Sequence, residues 1–397
     1  MKFQTLPLLT ALLMSTFLAP LSFADASTNN PIKAHLQGAL KKSAKAQMVP
    51  GAVVFVHRPR GNISISYGTS QLGKDLLPKA ITQFRIGSNT KSMISAVIVQ
   101  LAQEGALNLD DPVANYIPGV PNGENISLDL LMKNRSGLAN YLQSPEIAKA
   151  FDANPSKIWK PEELLALSFE QVQAAPDKKF DYSNTNFILL GLIAEKLEKK
   201  SLSVIFRERL FEPLGMKHTY LPEPSETQMT KPFAHGYAYG KSAHVFTHVP
   251  YSSKMQQAIK HKSVLPKDYT IQSASWSWAA GGVVSNAKDL ATWIEALSEG
   301  KLFKPEFYKR WKNSPVSSDE TNPNVKYGYG FMTIKNDFGL FYFHSGELPG
   351  FNSYMIYHPK LKQAITMWAN LTLSPSTEPT AGPIKSAIFD LLYTPKK

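Results

Sequence analysis

One predicted helix constrains the fold more than any other part of this sequence. Residues 84–105 read FRIGSNTKSMISAVIVQLAQEG, and the helix predicted at 88–104 is apolar on every side before it stops at Gly105. A helix without a polar face is normally buried all round, so other elements must surround it. It nevertheless carries Lys91 in its first turn, three residues after Ser88. Burial of an ammonium is costly or lowers its pKa, so this lysine needs a chemical reason.

The first residues have the layout of a secretory signal peptide. Lys2 is followed by an apolar stretch from Leu8 to Leu18 and by the small-residue site Ser22-Phe23-Ala24. We expect residues 1–24 to be removed and the protein to be periplasmic or secreted. A membrane anchor is the alternative, but Pro20 and the small residues argue against it, and no later stretch is long and apolar enough to span a bilayer.

Composition indicates a globular protein with two lobes. Hydrophobic residues make up 43% and aromatic residues 11% of the chain, which excludes a disordered protein. The absence of cysteine excludes disulfides and a lipid-attached cysteine. The formal net charge is +12, which favours either solubility or attraction to an anionic surface such as cell wall. Because the lysines lack interleaved aromatic residues, we expect no nucleic-acid partner.

Strand patterns lie at both ends of the chain and helical patterns lie between them. Residues 51–67 predict two alternating strands, residues after 327 predict further strands, and residues 281–299 predict an amphipathic helix capped by Ser285. The fold class is therefore α/β: an antiparallel sheet flanked by helices, with an inserted, mostly helical lobe. We assign residues 30–92 and 277–397 to the α/β lobe and residues 93–276 to the helical lobe. The groove between them is the expected site.

The spacing Ser-x-x-Lys occurs three times, but only one copy opens a buried helix. The three pairs are Ser88/Lys91, Ser285/Lys288 and Ser298/Lys301. In a helix this spacing places both side chains on one face, with Cβ atoms about 5 to 6 Å apart. Burial and the helix N-terminus disfavour a charged lysine, so Lys91 would be able to accept the proton of Ser88 and activate it as a nucleophile. The alternative is a capping serine with a lysine that extends to solvent.

Two further three-residue motifs each occur once in the sequence. Tyr182-Ser183-Asn184 is the only Tyr-x-Asn and precedes an apolar helix that begins near Thr185; helix capping by Ser183 or Asn184 is the alternative interpretation. His344-Ser345-Gly346 is the only His-x-Gly and ends an aromatic strand, where a glycine allows a ligand to lie against the strand edge. A simple turn glycine is the alternative there.

The three triplets, taken in order, resemble the motifs of the penicillin-recognising serine hydrolases. LLMKNRSGLANY, AAGGVVSNAKDLATW and HSGELPGFNSYMIYHP are similar to segments of the branch that holds class C β-lactamases, D-alanyl-D-alanine carboxypeptidases and related esterases. Asn134-Arg135 replaces the His-Thr usual in that branch. The resemblance implies a β-lactamase-like two-lobed fold. Dispersed histidines and the absence of cysteine predict no metal site, and we expect no cofactor.

The resemblance also implies a role for each motif residue. Ser88 would be the nucleophile, Lys91 its base, and Tyr182 a partner in proton transfer to the leaving group. Asn184 would bind the substrate's side amide, and the backbone N–H groups of Ser88 and Glu347 would form the oxyanion hole.

The third motif would hold a substrate carboxylate. In this role His344 and Ser345 would contact the carboxylate, and Gly346 would let the substrate approach. The sequence contains no Lys-Thr-Gly, the triplet usual in the β-lactamases of this branch, and a histidine would be only partly charged near neutral pH.

The resemblance therefore predicts an exported serine hydrolase that works through an acyl-enzyme. Its expected activity is that of a D-alanyl-D-alanine carboxypeptidase on peptidoglycan peptides, with β-lactams as covalent ligands. An esterase of the same fold, a class C-like β-lactamase and a non-catalytic penicillin-binding sensor are the alternatives. Intact Ser88 and Lys91 argue against the sensor, because a binding protein needs no nucleophile–base pair.

Overall fold

The computed structural model describes residues 31–318 and 321–393, so the predicted signal peptide at residues 1–24 lies outside the described residues. The strands are β1 (Gly51–His57), β2 (Ile63–Gly68), β3 (Phe84–Arg85), β4 (Tyr237–Ala238), β5 (Lys267–Asp268), β6 (Val284–Ser285), β7 (Val316–Ser317), β8 (Val325–Tyr327), β9 (Met332–Asn336), β10 (Gly339–Leu348), β11 (Phe351–His358) and β12 (Gln363–Ala369). The helices are α1 (Pro31–Ala46), α2 (Thr90–Gln103), α3 (Leu128–Met132), α4 (Pro145–Ala153), α5 (Pro161–Phe169), α6 (Thr185–Glu198), α7 (Leu202–Phe206), α8 (Ala243–Phe246), α9 (Ser253–Lys260), α10 (Trp278–Gly281), α11 (Ala287–Ser298), α12 (Pro305–Asn313) and α13 (Ala381–Tyr393).

An eight-stranded antiparallel sheet joins the two ends of the described chain. Its order is β2-β1-β12-β11-β10-β9-β8-β7, so β1 from the early part of the chain pairs with β12 from the late part. Every residue of the central strand β12 is buried, and successive side chains of a strand point to opposite faces, so this part of the sheet is covered on both faces. The helices α1, α13 and α11 provide this cover. The predicted antiparallel sheet flanked by helices is confirmed.

The predicted buried helix is also confirmed. It is α2, in which every residue from Thr90 to Ala102 is buried, and a short 3₁₀ turn at Gly87–Asn89 leads into it. Helices α6 and α10 pack against α2, which explains how a helix without a polar face is kept from water.

The residues between the two groups of sheet strands are mainly helical. Residues 93–276 contribute α3–α9 and the short paired strands β4 and β5. The division into two lobes at residues 92/93 and 276/277 stays a prediction. No helix within the described residues has the length and apolar character that crossing a membrane requires.

The predicted cap of the amphipathic helix is one residue out of place. Asn286 caps α11, because its Oδ1 accepts a hydrogen bond from the Asp289 backbone N at 2.8 Å. Ser285 lies instead in β6, where it pairs with Phe84 of β3. The pairing fixes Ser285 in an extended conformation and leaves the following asparagine to begin the helix.

Candidate active site

The chain turns sharply at Gly87 to place Ser88 beside strand β10. Gly87 has a φ of 56°, in the left-handed region that disfavours side chains. A Cβ at this position would also lie 2.8 Å from the backbone N of Glu347. Glycine therefore permits both the turn and the close approach to β10. As a result, the segments that carry the two predicted oxyanion-hole amides, those of Ser88 and Glu347, are neighbours.

Lys91 lies fully buried in the first turn of α2, with its amine directed at Ser88. The Nζ atom is 2.9 Å from Ser88 Oγ, 2.6 Å from Asn184 Oδ1 and 2.7 Å from the Ala280 carbonyl oxygen. Burial lowers the pKa of Lys91 well below its ordinary value. Burial thus disfavours the charged form of the amine that contacts the predicted nucleophile.

The partners of this amine determine which way its hydrogens point. A neutral amine has two N–H donors and one lone pair. The oxygens of Asn184 and Ala280 can only accept, so they take the two N–H groups. The remaining partner, the Ser88 hydroxyl, accepts from Nζ when the lysine is charged; once the amine is neutral it would face the lone pair with a proton to give. This arrangement lets Lys91 remove the proton of Ser88.

Tyr182 lies across the same cleft. Its ring centroid is 5.0 Å from Lys91 Nζ. Burial raises the pKa of Tyr182 above its ordinary value, and a hydrogen bond with Ser88 acts weakly in the opposite direction. The side chain is therefore a neutral phenol in contact with the serine hydroxyl. A phenol in this position can donate a proton to a group that leaves from an acyl-serine.

Asn184 is fixed by contacts on both sides of its amide. Its Oδ1 accepts from Lys91, and its Nδ2 donates to Asn140 Oδ1 at 3.2 Å. It occupies the residue before α6, but its side chain makes no capping hydrogen bond, so the capping alternative does not describe it. The second N–H of Nδ2 is left for the substrate amide that was predicted.

Asn134, which replaces the usual histidine, holds the loop that carries Tyr182. Its Oδ1 accepts hydrogen bonds from the backbone N of Ser183 at 3.1 Å and from Asn186 Nδ2 at 3.0 Å. Asn134 has a φ of 56°, a conformation that asparagine tolerates better than most residues. Beside it, Arg135 forms an ion pair with Asp177, with its Nε 2.5 Å from Oδ1. The Asn-Arg pair therefore supports the loop that leads to the second motif.

The third motif lies on a free edge of β10. Strand β10 pairs with β11 as far as Leu348 but with β9 only as far as Phe343. Gly346 faces the turn before Ser88, since a Cβ there would lie 1.9 Å from the Ile86 carbonyl oxygen. On the opposite face of the strand, Ser345 and Glu347 are partly exposed. An extended substrate could pair with this edge beside Ser88.

His344 differs from the expectation of a partly charged carboxylate ligand. Its side chain is buried, with Nε2 3.2 Å from the Tyr327 hydroxyl and Nδ1 2.6 Å from the Ser345 carbonyl oxygen. Burial, assisted by the nearby Lys91, lowers the pKa of His344 to about 3. The ring is therefore neutral at physiological pH. Ser345, by contrast, is partly exposed on the open edge.

Sequence reasoning overlooked Tyr327 and Asn140, and a weak signal exists for only one of them. Tyr327 is fully buried and contacts the motif residues His344 and Tyr182, the latter edge-to-face with ring centroids 6.1 Å apart. Asn140 lies within LLMKNRSGLANY, one of the segments that carry the family resemblance, and this is the weak signal. Within residues 31–318 and 321–393, no three His, Asp or Glu side chains come together as a metal site would require.

Comparisons with known proteins agree on the fold. The Beta-lactamase family model matches residues 36–386. Protein flp of Staphylococcus aureus strain MW2 is 28% identical over 330 residues, covering 81% of this chain and 60% of flp, so the chain spans about 60% of the length of that relative. A D-stereospecific amidohydrolase from Streptomyces sp. superposes with a TM-score of 0.77 at 24% identity, over 92% of this chain and 99% of that one. An octameric penicillin-binding protein homologue from Pyrococcus abyssi gives 0.72 at 25% identity, over 90% and 77%. The predicted β-lactamase-like fold is confirmed.

Proposed function

The chain belongs to the beta-lactamase family of serine hydrolases, and from this premise we propose that it hydrolyses D-alanyl peptides through an acyl-enzyme on Ser88. One observation carries the proposal: a fully buried lysine whose Nζ lies 2.9 Å from the Ser88 hydroxyl while its other two partners can only accept hydrogen bonds. A serine needs such a base to act as a nucleophile.

The proposed reaction has two steps. Lys91 takes the Ser88 proton as Oγ bonds to the substrate carbonyl carbon, and the backbone N–H groups of Ser88 and Glu347 stabilise the oxyanion. The bond to the leaving amine then breaks as the amine receives a proton from Tyr182 or Lys91. Water next attacks the acyl carbon, gives a proton to the same pair, and releases the acid and the Ser88 hydroxyl.

We propose peptidoglycan peptides ending in D-Ala-D-Ala as the substrates, so that the enzyme acts as a carboxypeptidase. The open edge of β10 suits an extended peptide, and Ser345 on that edge offers a hydroxyl to the terminal carboxylate. We also propose export to the periplasm or the medium, which rests on the signal peptide predicted at residues 1–24. N-terminal sequencing of the exported protein would test this, with Asp25 expected as the first residue.

A second candidate is an amidase or esterase for substrates without a terminal carboxylate. The neutral His344 favours it, because the third motif then presents no cation for a carboxylate. Release of free D-alanine from a pentapeptide, measured beside hydrolysis of a neutral D-alanyl ester, separates the two. A much larger kcat/KM for the ester would favour the second candidate.

Covalent labelling tests the nucleophile itself. A fluorescent penicillin should label the wild-type protein but not Ser88→Ala. Ser285→Ala is the matched control, since Ser285 belongs to another Ser-x-x-Lys and is buried against Thr219. Labelling that persists in Ser88→Ala would refute the assignment of the nucleophile.

A further inference from the structure

The side chain of Glu347 is a carboxyl group whose pairing is incomplete beside the nucleophile. Its Oε2 accepts a hydrogen bond from Asn352 Nδ2 at 3.2 Å. Its Oε1 is buried and has no hydrogen-bond donor among the described residues. A buried, unsatisfied acceptor is costly, so its persistence at a functional site indicates a missing partner.

No protein cation compensates this carboxyl in the part of the chain that the structure describes. The exposed imidazole of His248 approaches it, but Nδ1 remains 3.6 Å from Oε1, beyond hydrogen-bond distance, and a histidine is largely neutral at neutral pH. The other titratable groups that feel its charge are phenols, those of Tyr182, Tyr251 and Tyr354. The amine of Lys385 contacts the ring of Tyr354 and not the carboxyl of Glu347, with Nζ 5.2 Å from the ring centroid.

This environment has the chemistry of an ammonium site. Without a ligand the buried carboxyl group keeps its proton near neutral pH. An ammonium group would stabilise the ionised form by its opposite charge, and aromatic rings attract organic cations through their faces. A carboxylate ligand would disfavour ionisation of Glu347, and a neutral donor such as a hydroxyl could reach Oε1 but would not balance the charge of the ionised group.

The position of Glu347 limits where on the substrate the ammonium lies. The backbone N of Glu347 adjoins the turn before Ser88, and it is one of the two amides assigned to the oxyanion. The carboxyl group is a short side chain away from that amide. A cation that reaches it must therefore be attached close to the scissile carbonyl, and the α-amino group of an aminoacyl residue meets this condition.

We propose that Glu347 binds the α-ammonium group of the residue that acylates Ser88, so that the enzyme prefers D-aminoacyl substrates with a free amino group over N-acylated ones. This inference rests on the proposed acyl-enzyme at Ser88 and narrows its D-alanyl substrates. In a peptidoglycan pentapeptide the penultimate D-alanine is already N-acylated, so such a peptide should be a poorer substrate than a free dipeptide. A free D-Ala-D-Ala dipeptide or a D-alanine amide meets the requirement.

Binding to an acylation-deficient protein tests the inference without turnover. In Ser88→Ala, the dissociation constants of D-alanine amide and D-lactamide are measured by calorimetry at about pH 7. D-Lactamide carries a hydroxyl group where the amide of alanine carries its ammonium. We expect D-alanine amide to bind at least tenfold more tightly, and we expect Ser88→Ala/Glu347→Gln to lose this preference. Glu306→Gln, in the exposed first turn of α12, is the control for the change of net charge and should retain the preference.

The outcomes separate this inference from the proposed function. A preference that survives in the Glu347→Gln variant, or that is absent from the Ser88→Ala parent, overturns the ammonium site. A binding preference that Glu347→Gln abolishes supports the ammonium site. If the wild-type protein hydrolyses neither D-alanine p-nitroanilide nor its D-lactoyl analogue, the proposed function is refuted, but the binding result still supports the site. If both are hydrolysed, kcat/KM should favour the amine at least tenfold in the wild type alone.

Discussion

Replacing Glu347 with glutamine should stabilise the folded protein, and increasingly so as pH rises. Burial raises the pKa of Glu347 from an ordinary 4.5 to about 8, and only 18% of the side chain is exposed. Between these two values the native state holds a proton that the unfolded chain has released. Since the native state then binds more protons, the free energy of unfolding of the wild type falls as pH rises through this window. Glutamine has no such proton and keeps an acceptor for Asn352.

The size of the effect follows from the same pKa. Each pKa unit corresponds to about 1.4 kcal/mol, so the wild type should lose about 2 to 3 kcal/mol relative to Glu347→Gln between about pH 5 and about pH 7. The full penalty is at most about 5 kcal/mol and is reached above about pH 8.

Urea unfolding followed by tryptophan fluorescence at several pH values measures this difference. Glu306→Gln, which removes an exposed carboxylate, should follow the wild type. A constant difference between wild type and Glu347→Gln from about pH 5 to about pH 8 would show that the carboxyl is not perturbed, and the argument for an unpaired buried acid would fail.

Three further substitutions test the site. Lys91→Ala should reduce kcat by at least about a hundredfold while Lys288→Ala leaves it within about twofold, because only the first lysine contacts a serine hydroxyl; equal losses in steady-state kinetics would contradict this. Asn134→Ala removes the hydrogen-bond acceptor for the loop that carries Tyr182, so kcat should fall by a larger factor than KM rises. The free energy of unfolding in denaturant should fall by about 1 to 3 kcal/mol. An unchanged kcat would refute the positioning role. Gly346→Ala would place Cβ 1.9 Å from a backbone oxygen and should abolish penicillin labelling, whereas Gly38→Ala meets nothing within 4 Å and should retain it.

Local patterns were sufficient for the main elements and for the contact between Ser88 and Lys91, because both depend on residues close in the chain. The apolar run that became α2 and the three-residue spacing of Ser88 and Lys91 are properties of one helix. Ser285 was misassigned as a cap because its partner, Phe84, lies far away in the chain. Spacing alone also left three Ser-x-x-Lys pairs, and the first is distinguished in the structure by the burial of its lysine and by the contact of that lysine with Ser88.

The charge states could not be predicted from the sequence, because each depends on packing between distant segments. His344 is neutral because Tyr327 and the sheet bury it, and the same imidazole at a strand end in water would be partly charged. The role of Asn134 depends on a left-handed backbone and on acceptor contacts with residues some 50 positions later. The lack of a donor to one oxygen of Glu347 depends on the positions of Asn352 and the surrounding tyrosines, which no local pattern in the sequence determines.

The disfavoured charge of the buried groups limits how a proton would travel in the proposed acylation. When Lys91 accepts the Ser88 proton, it becomes an ammonium in a setting that disfavours charge, and its partners on Asn184 and Ala280 are neutral oxygens. His344 is neutral and close enough to feel the charge of Lys91, so protonation of either group disfavours protonation of the other. The ammonium is therefore a strong acid relative to an ordinary lysine, and the phenol of Tyr182, in contact with Ser88, offers the short route to the leaving amine. A low pKa would thus serve both halves of the proposed acylation, since it would supply a free base for the serine and then return the proton to the amine that departs.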